Sequence, residues 1–218
     1  MLIAINKAHF PVTVLGPGQR IGIWFQGCRI HCPGCVSQDT WANDASKNMP
    51  LHDLLAWCRQ VASEGLDGIT LSGGEPFDQP HALLALLEAV HTWRNERALD
   101  FDILCYSGYP LKRLRERHAP ILKKLDALIP EPYIDKLPLD KLWRGSQNQP
   151  LVPLSARGHT RYDKFLDSPA ATFGKRLQIN VDDQRLWSIG LPARGDLEQL
   201  ENLATQRGLS FAQVSWKP

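Results

Sequence analysis

Three cysteines within eight residues form the strongest chemical signal in the sequence. They are Cys28, Cys32 and Cys35 in the segment GCRIHCPGC, with three and then two residues between them. Pro33 and Gly34 have the residue types of a type II turn, which would let the thiolates of Cys32 and Cys35 face one centre. Such close spacing predicts a metal site rather than a disulfide framework.

Two kinds of metal centre fit this loop. Zinc would take four protein ligands, with His31 as the fourth, although its position beside Cys32 would tend to turn the ring away. A [4Fe-4S] cluster normally takes four cysteines, so three would leave one iron open to a small-molecule ligand. Cys58 and Cys105 could supply a fourth thiolate, but both lie at apolar positions and are expected in the core. We therefore favour a cluster with an open iron.

Predicted strands and helices alternate along the first 130 residues. This alternation predicts an α/β fold with a parallel sheet, and ligands of such sheets bind at the carboxyl ends of the strands. The predicted strands cover 20–25, 68–72, 101–106 and 127–129, and the predicted helices cover 51–62, 80–93 and 111–125. The cysteine loop follows the first of these strands, so it should lie at that edge.

The pattern changes after residue 137. Residues 137–174 are irregular and rich in Pro, Gly and Ser, which is long for an ordinary connection. Strands are then predicted at 175–182, 186–191 and 210–216, with a helix at 197–206. We predict a core at 1–150, a linker at 151–174 and a small α+β appendage at 175–218. Chemistry should not require the appendage, and truncation after about Leu154 should leave the core intact.

Five motifs occur in order between Val12 and Gln149: GPGQR, GCRIHCPGC followed by Thr40-Trp41, LSGGEP, YSGY and WRGSQNQ. Together they resemble the radical S-adenosylmethionine superfamily, and within it the activating proteins of anaerobic ribonucleoside-triphosphate reductases. The resemblance implies a partial, open β/α barrel of the TIM type. This sequence departs from the pattern in two ways: it continues to residue 218, and Val36 replaces an aromatic residue.

The resemblance implies an oxidoreductase with two cofactors. Cys28, Cys32 and Cys35 would hold a [4Fe-4S] cluster, which reduces bound S-adenosylmethionine to methionine and a 5'-deoxyadenosyl radical. That radical would remove hydrogen from a glycine Cα in a glycyl-radical enzyme such as anaerobic ribonucleotide reductase. A flavodoxin or ferredoxin-type protein would supply the electron. The sequence leaves two other functions open: the same radical acting on another peptide or small molecule, and a metal-stabilised binding module without catalysis.

The same resemblance implies a set of residues that contact S-adenosylmethionine: Gly34, Val36, Gly73, Gly74, Glu75, Ser107 and Gly108. Backbone groups of residues 73–75 would face the methionyl ammonium, and residues 34–36 would lie against the adenine side. Ser107 would donate to the ligand carboxylate or ribose, and Gly108 would permit the approach. Arg144, in the WRGSQNQ motif, could pair with a carboxylate or with a partner's backbone.

Composition and charge exclude several classes of partner. The formal charge is +2, so no global basic field favours nucleic acid, and the basic residues at 112–117 fit the solvated face of a helix. No apolar run approaches the ~20 residues of a membrane span, and the N-terminus lacks the pattern of a signal peptide. We therefore expect a cytoplasmic protein that binds neither membranes nor nucleic acid.

Overall fold

The structure, a computed structural model, describes residues 1–137, 140–173, 176–182 and 185–217. Its strands are β1 (Leu2–Val12), β2 (Arg20–Phe25), β3 (Asn48–Pro50), β4 (Gly68–Gly73), β5 (Asp102–Tyr106), β6 (Ala127–Ile129), β7 (Val152–Pro153), β8 (Leu177–Asp182) and β9 (Arg185–Gly190). Its helices are α1 (Leu51–Val61), α2 (Pro80–Glu96), α3 (Leu111–Arg117), α4 (Ala119–Leu122), α5 (Ala156–Tyr162) and α6 (Asp196–Gln206). Seven strands form one sheet in the order β3-β1-β2-β4-β5-β6-β7, and β8 and β9 form a separate hairpin.

The centre of the large sheet is parallel. Strands β2, β4, β5 and β6 run in one direction, while β1, β3 and β7 pair antiparallel with their neighbours. All six residues of β2 are buried, as is typical of a strand covered on both faces. The predicted α/β class with a mostly parallel sheet is therefore confirmed, and its closure as a partial barrel stays a prediction. In the part of the chain described, no helix has the length and apolar character needed to cross a membrane.

The structure differs from the sequence-based prediction at one strand and one helix. Strand β1, which was not predicted, begins at Leu2 and ends at Val12, with Ile3 and Ile5 buried in the core. The single helix predicted at 111–125 is divided into α3 and α4. Pro120 lacks a backbone N–H and disfavours helical geometry at the residue before it, so the first helix ends before this proline.

The strand predicted at 210–216 is wrong, because the structure has no strand there. Instead, the Ser215 carbonyl accepts hydrogen bonds from the amides of Gln38 (2.7 Å) and Asp39 (3.2 Å), which lie just after the cysteine loop. The strand predicted at 175–182 corresponds to β8, except that Lys175 lies outside the described residues.

A buried ion pair ties three parallel strands together at their amino ends. The guanidinium of Arg20, at the start of β2, is fully buried and donates to Asp102 of β5 (Nη2–Oδ1 2.6 Å, Nη1–Oδ2 3.2 Å). Its Nε donates to Thr70 of β4 (2.6 Å). The hydroxyl of Tyr162, in α5, also donates to Asp102 (2.6 Å). The carboxylate therefore receives hydrogen bonds from two separate parts of the chain.

Residues beyond 150 contact the large sheet at several points. Strand β7 extends the sheet beside β6, and α5 contributes the fully buried Tyr162. On the opposite flank, Gln178 of β8 accepts from the Thr13 amide (2.9 Å) and donates to the Pro11 carbonyl (2.7 Å). Ile189 of β9 is buried in a cluster with Val12, Val14, Leu15 and Trp24. The division into core, linker and appendage stays a prediction.

We predict that Asp102→Asn lowers the free energy of unfolding by about 3–5 kcal/mol, because it leaves the Arg20 charge buried without its counter-ion. Tyr162→Phe should cost less, about 1.5–3 kcal/mol, since it removes one hydrogen bond to a charged acceptor. Urea unfolding of the protein measures both. Arg157→Gln, which removes an exposed ion pair with Asp100, is the control and should change stability by less than about 1 kcal/mol. A loss below about 1 kcal/mol for Asp102→Asn would contradict the role of this network.

The position of α5 also changes the expected result of truncation. Ending the chain after Leu154 removes Tyr162 and the Arg161 guanidinium, which donates to the Asp67 and Asp100 carbonyls. We predict poor folding for this variant, measured by thermal unfolding and by yield of monodisperse protein. A chain that ends after Thr172 keeps α5 and should fold with a smaller loss of stability. Equal behaviour of the two truncations would contradict the prediction.

Candidate metal and cofactor site

Three loops meet at the carboxyl edge of the parallel strands. The cysteine loop follows β2, a glycine-rich loop at residues 73–75 follows β4, and the loop with Ser107 and Gly108 follows β5. Because β2, β4 and β5 are neighbours and parallel, their carboxyl ends lie side by side. The sheet therefore brings together segments that are about 35 residues apart in the chain.

The cysteine loop has the turn that its sequence predicts. The amide of Cys35 donates to the carbonyl of Cys32 (3.1 Å), and Gly34 has φ +76°, the left-handed conformation that a type II turn requires at its third position. The amide of Ser37 approaches the Cys35 sulfur at 3.4 Å. Cys28, Cys32 and Cys35 are each partly exposed and line the same pocket.

Burial raises the pKa of all three thiols in this loop. Backbone hydrogen bonds act in the opposite direction, from residues 30 and 31 to Cys28, from Tyr133 to Cys32 and from Ser37 to Cys35. Amide donors of this kind stabilise thiolate charge when a metal is bound. Because a metal ligates the thiolate, cluster assembly at these residues would be coupled to proton release.

Contacts of the candidate ligands bear on the two kinds of metal centre considered above. The His31 ring stacks on Trp41 with centroids 4.6 Å apart, so it is engaged in another contact. Across the described ranges, no three His, Cys, Asp or Glu side chains converge on a single ion. Cys58 and Cys105 are fully buried in the hydrophobic core and do not line the pocket, as predicted. Three accessible thiols around a shared pocket fit a cluster, in which each thiolate ligates a different iron.

Glu75 joins two of the strand-end loops. Its carboxylate is almost fully buried and accepts from the Ser107 hydroxyl (2.9 Å) and the Gly108 amide (2.8 Å), as well as from the Phe77 amide (3.0 Å). Burial raises the pKa of Glu75 to about 7, although these hydrogen bonds act to lower it. Because the Ser107 hydroxyl has one hydrogen, that hydrogen is directed at Glu75 here.

Gly74 lies where two backbones approach each other closely. Its amide donates to the Phe25 carbonyl (2.9 Å), and the next amide, that of Glu75, donates to the Gly27 carbonyl (2.8 Å). A Cβ at position 74 would overlap the Gly27 carbonyl, next to Cys28. Glycine is therefore required here by contact with the cysteine loop. At Gly108, in contrast, an added Cβ would overlap only the flexible end of the Ile30 side chain and would lie at an ordinary contact distance from the Glu75 carboxylate.

One pocket contains every site residue expected from the sequence, three cysteines and seven others. It measures about 910 Å³ with the open solvent at its mouth included. Several lining residues were missed. Gly145 and Gln149 belong to the WRGSQNQ motif, whose role the sequence left open, whereas Tyr133, Leu191 and Pro192 carry no signal in the sequence. The three thiols and the glycine-lined walls fit a [4Fe-4S] cluster with a small-molecule ligand.

Known proteins are similar in sequence to a large part of this chain. The anaerobic ribonucleoside-triphosphate reductase-activating protein of Enterobacteria phage T4 is 30% identical over 139 residues, which cover 63% of this chain and 86% of that protein. The protein of the same name from Haemophilus influenzae is 32% identical over 149 residues, covering 65% and 92%. A pyruvate formate-lyase-activating enzyme from Clostridium pasteurianum is 31% identical over 97 residues, covering 43% and 41%.

Two further comparisons concern the family and the fold. A crystal structure of QueE from Escherichia coli aligns with 96% of this chain and 92% of that one, with a TM-score of 0.45 and 16% identity. The model of the family described as "4Fe-4S single cluster domain" matches residues 14–152. The chain is thus an enzyme whose cofactors are a [4Fe-4S] cluster and S-adenosylmethionine. It belongs to the radical S-adenosylmethionine superfamily, in the 4Fe-4S single cluster domain family, together with the anaerobic ribonucleoside-triphosphate reductase-activating proteins.

Proposed function

We propose that this protein generates a glycyl radical in a partner enzyme of the anaerobic ribonucleotide reductase type. The observation that carries the proposal is the meeting of the three cysteines with the two glycine-containing strand ends in one pocket. Two relatives are by name the activating protein of anaerobic ribonucleoside-triphosphate reductase and the activating enzyme of pyruvate formate-lyase. We further propose a flavodoxin or ferredoxin-type electron donor.

In this proposal Cys28, Cys32 and Cys35 hold the cluster. The bound cofactors supply a 5'-deoxyadenosyl radical by reductive cleavage of S-adenosylmethionine, and hydrogen-atom abstraction by that radical requires no general base. The chain itself binds and orients the reacting groups. The remaining walls of the pocket exclude water from them.

The glycine-rich loop would bind the methionyl end of S-adenosylmethionine. An ammonium group is only a donor, so it needs carbonyl acceptors. The Gly74 and Glu75 amides are donors, and they already bind the carbonyls of Phe25 and Gly27. The carbonyls of Gly73 and Gly74 are therefore the proposed acceptors for the ammonium. Residues 34–36 would lie against the adenine. Gly108 would allow the ligand to approach the end of β5 closely. Ser107 would accept a hydrogen bond from the ligand, or would donate one after its hydroxyl turns away from Glu75.

Glu75 would position these loops instead of touching the ligand with its carboxylate. Its hydrogen bonds to Ser107 and Gly108 fix the end of β5 relative to the end of β4. We also propose that the parallel sheet and its helices form the partial barrel of the superfamily. Curvature of the sheet into a partial barrel would place the carboxyl ends of successive strands around one pocket.

A second candidate function is the same radical chemistry on another peptide or small molecule. One observation favours it: Leu191 and Pro192, which lie beyond the region matched by the family model, line the pocket beside the cysteines. The chain therefore adds a wall to the pocket from outside the matched region. Such a wall could select a substrate different from that of the relatives.

A cleavage assay followed by a radical assay tests the proposal. Protein reconstituted anaerobically with iron and sulfide is reduced in the presence of S-adenosylmethionine, and 5'-deoxyadenosine is quantified. A glycyl-radical enzyme from the same organism is then added, and electron paramagnetic resonance should detect its glycyl radical. Cleavage without any glycyl radical would favour the second candidate function. A colourless protein that contains stoichiometric zinc would contradict both and support a non-catalytic binding module.

We predict that changing Cys28, Cys32 or Cys35 to Ala, one at a time, abolishes the cluster. Cys58→Ala and Cys105→Ala should retain it, because both thiols are buried in the core away from the pocket. Iron and sulfide content and the visible absorption of the reconstituted protein are the measurements. Loss of the cluster in the Cys58 or Cys105 variant, with the fold intact by circular dichroism, would contradict the open-iron arrangement.

Replacing glycine at two positions should have different effects. Gly74→Val should reduce both S-adenosylmethionine binding and iron content, because its side chain overlaps the Gly27 carbonyl beside Cys28. From the sequence alone, iron content would be expected to stay near normal. Gly108→Ala, where only the Ile30 side chain must move, should retain iron and weaken S-adenosylmethionine binding by a few fold. Equilibrium dialysis and iron analysis distinguish the two, and normal iron in Gly74→Val would contradict the contact argument.

The Glu75 carboxyl should make the metal-free protein less stable as the pH rises. Its folded-state pKa of about 7 lies above its ordinary value of 4.5, so the folded state binds the proton more tightly and stability is lost between about pH 4.5 and 7. The upper limit of this loss is about 3 kcal/mol. Glu75→Gln should flatten the pH dependence of the free energy of unfolding, whereas Glu88→Gln, on an exposed side chain, should not. Parallel curves for wild type and Glu75→Gln would contradict the raised pKa.

A further inference from the structure

A second, smaller cavity lies between the WRGSQNQ segment and the C-terminal hairpin. It measures about 260 Å³ with the open solvent at its mouth included, and three cationic residues line it: Lys141, Arg144 and Arg176. The other lining residues are apolar: Val14, Leu142, Trp143, Ala170 and Leu191. Burying a cation among apolar side chains costs free energy unless an opposite charge lies beside it. The composition of the cavity therefore indicates an anionic ligand.

Arg144 is the residue that points most strongly to a ligand. It is only 2% exposed, and its Nη2 donates to the Leu166 carbonyl (2.7 Å). Its Nε and Nη1 are buried and have no hydrogen-bond partner among the residues that the structure describes. Because an arginine side chain stays protonated in proteins, its charge and these two buried donors favour a polar or anionic partner beside them. An anion in the adjoining cavity would be such a partner.

The carboxylates near Arg144 are engaged elsewhere. Asp167 is highly exposed and pairs with Lys141 (3.4 Å), and Asp140 accepts from the Gln147 side chain (3.3 Å). Both raise the pKa of Arg144 from a distance, whereas burial, the largest influence, lowers it. Arg176 is exposed and has no ion pair within the described ranges. The cavity thus combines one buried cation with two accessible ones.

The small cavity and the cofactor pocket are neighbours. Leu191 lines both of them, and Gly145, the residue after Arg144, lines the cofactor pocket. The Tyr106 hydroxyl, at the end of β5, donates to the Trp143 carbonyl (2.7 Å), which fixes the WRGSQNQ segment beside that pocket. A molecule with its reacting carbon in the cofactor pocket could therefore place another of its groups near Arg144.

We propose that this cavity binds an oxyanion, a carboxylate or a phosphate group, with Arg144 as the buried anchor and Lys141 and Arg176 as the cations at its margin. Guanidinium and ammonium groups form strong charge-assisted hydrogen bonds to both kinds of oxyanion. The oxyanion is the anionic group of the substrate, and this assignment of its source rests on the proposed radical function. Binding of the oxyanion itself does not.

The C-terminal part of the chain completes this site. Arg176 and Leu191 lie outside residues 14–152, the region that the family model matches. The Leu191 amide donates to the Arg176 carbonyl (3.0 Å), so the two residues are held together at the open end of the hairpin. The core contributes the buried anchor, and the added segment contributes the second arginine. Anion recognition would thus distinguish this chain from relatives that lack the segment.

Anion titrations on the full-length reconstituted protein test the proposal. Inorganic phosphate and acetate are added at constant ionic strength, and binding is measured by calorimetry and by the shift in thermal unfolding. Wild type should show saturable binding of at least one of them, and Arg144→Gln should bind at least tenfold more weakly. Arg176→Gln should bind the anion a few fold more weakly. Because Arg176 is exposed, this variant should fold, so it tests the site even if Arg144→Gln does not fold. Arg59→Gln, an exposed arginine on α1, should bind as wild type does.

The two probes distinguish the sources of the oxyanion. Saturable binding of phosphate alone indicates a phosphorylated substrate, and binding of acetate alone indicates a carboxylate. Absence of saturable binding in wild type, or equal binding by wild type and both cavity variants, would overturn the proposal. A loss of S-adenosylmethionine affinity in Arg144→Gln that matches its loss of anion affinity would assign the arginine to the cofactor and overturn its role toward substrate. Anion binding without 5'-deoxyadenosine formation would refute the proposed function but not the anion site.

Discussion

The buried pairing of Arg20 with Asp102 is the constraint on which the rest of the architecture depends. It joins β2 to β5 across β4, at the end of the sheet opposite the cysteines. Strands rise by about 3.3 Å per residue, so fixing their amino ends also fixes where their carboxyl ends stop. The cysteine loop and the two glycine-containing loops are therefore placed relative to one another by an interaction far from them. Replacing only one partner of such an ion pair is destabilising, because the other charge then stays buried in the core without a counter-ion.

The carboxyl edge has its own set of connections. Gly74 and Glu75 donate to the carbonyls of Phe25 and Gly27, and the Glu75 carboxylate receives the Ser107 hydroxyl and the Gly108 amide. Each of the three loops is thus hydrogen-bonded to the next one. Preorganisation of this kind holds ligand-binding groups in place before the ligand arrives, so less ordering is required on binding. It also explains why a change in the glycine-rich loop should reach the cysteines.

The segment beyond residue 152 gives this chain features that the matched region does not contain. Its hairpin packs on β1 and β2, Leu191 and Pro192 reach the cofactor pocket, and Ser215 binds the backbone just after the cysteine loop. A pocket wall drawn from a separate segment allows substrate preference to change while the radical-generating residues stay the same. The cavity beside Arg144 is likewise lined both by residues of the matched region and by residues of the added segment.

The sequence by itself determined the chemistry and the class of fold. Cysteine spacing, the Pro33-Gly34 turn and the alternation of strands and helices are local properties, and each depends on residues close in the chain. The tertiary structure decided what depends on distant contacts: the Glu75 carboxylate as a link between loops, the approach of Gly74 to Gly27, and the irregular path of residues 210–216, where the Ser215 carbonyl accepts from the amides of residues 38 and 39. The unpartnered donors of Arg144 could not be predicted either, because burial and hydrogen bonding are set by residues from separate parts of the chain that meet only after folding.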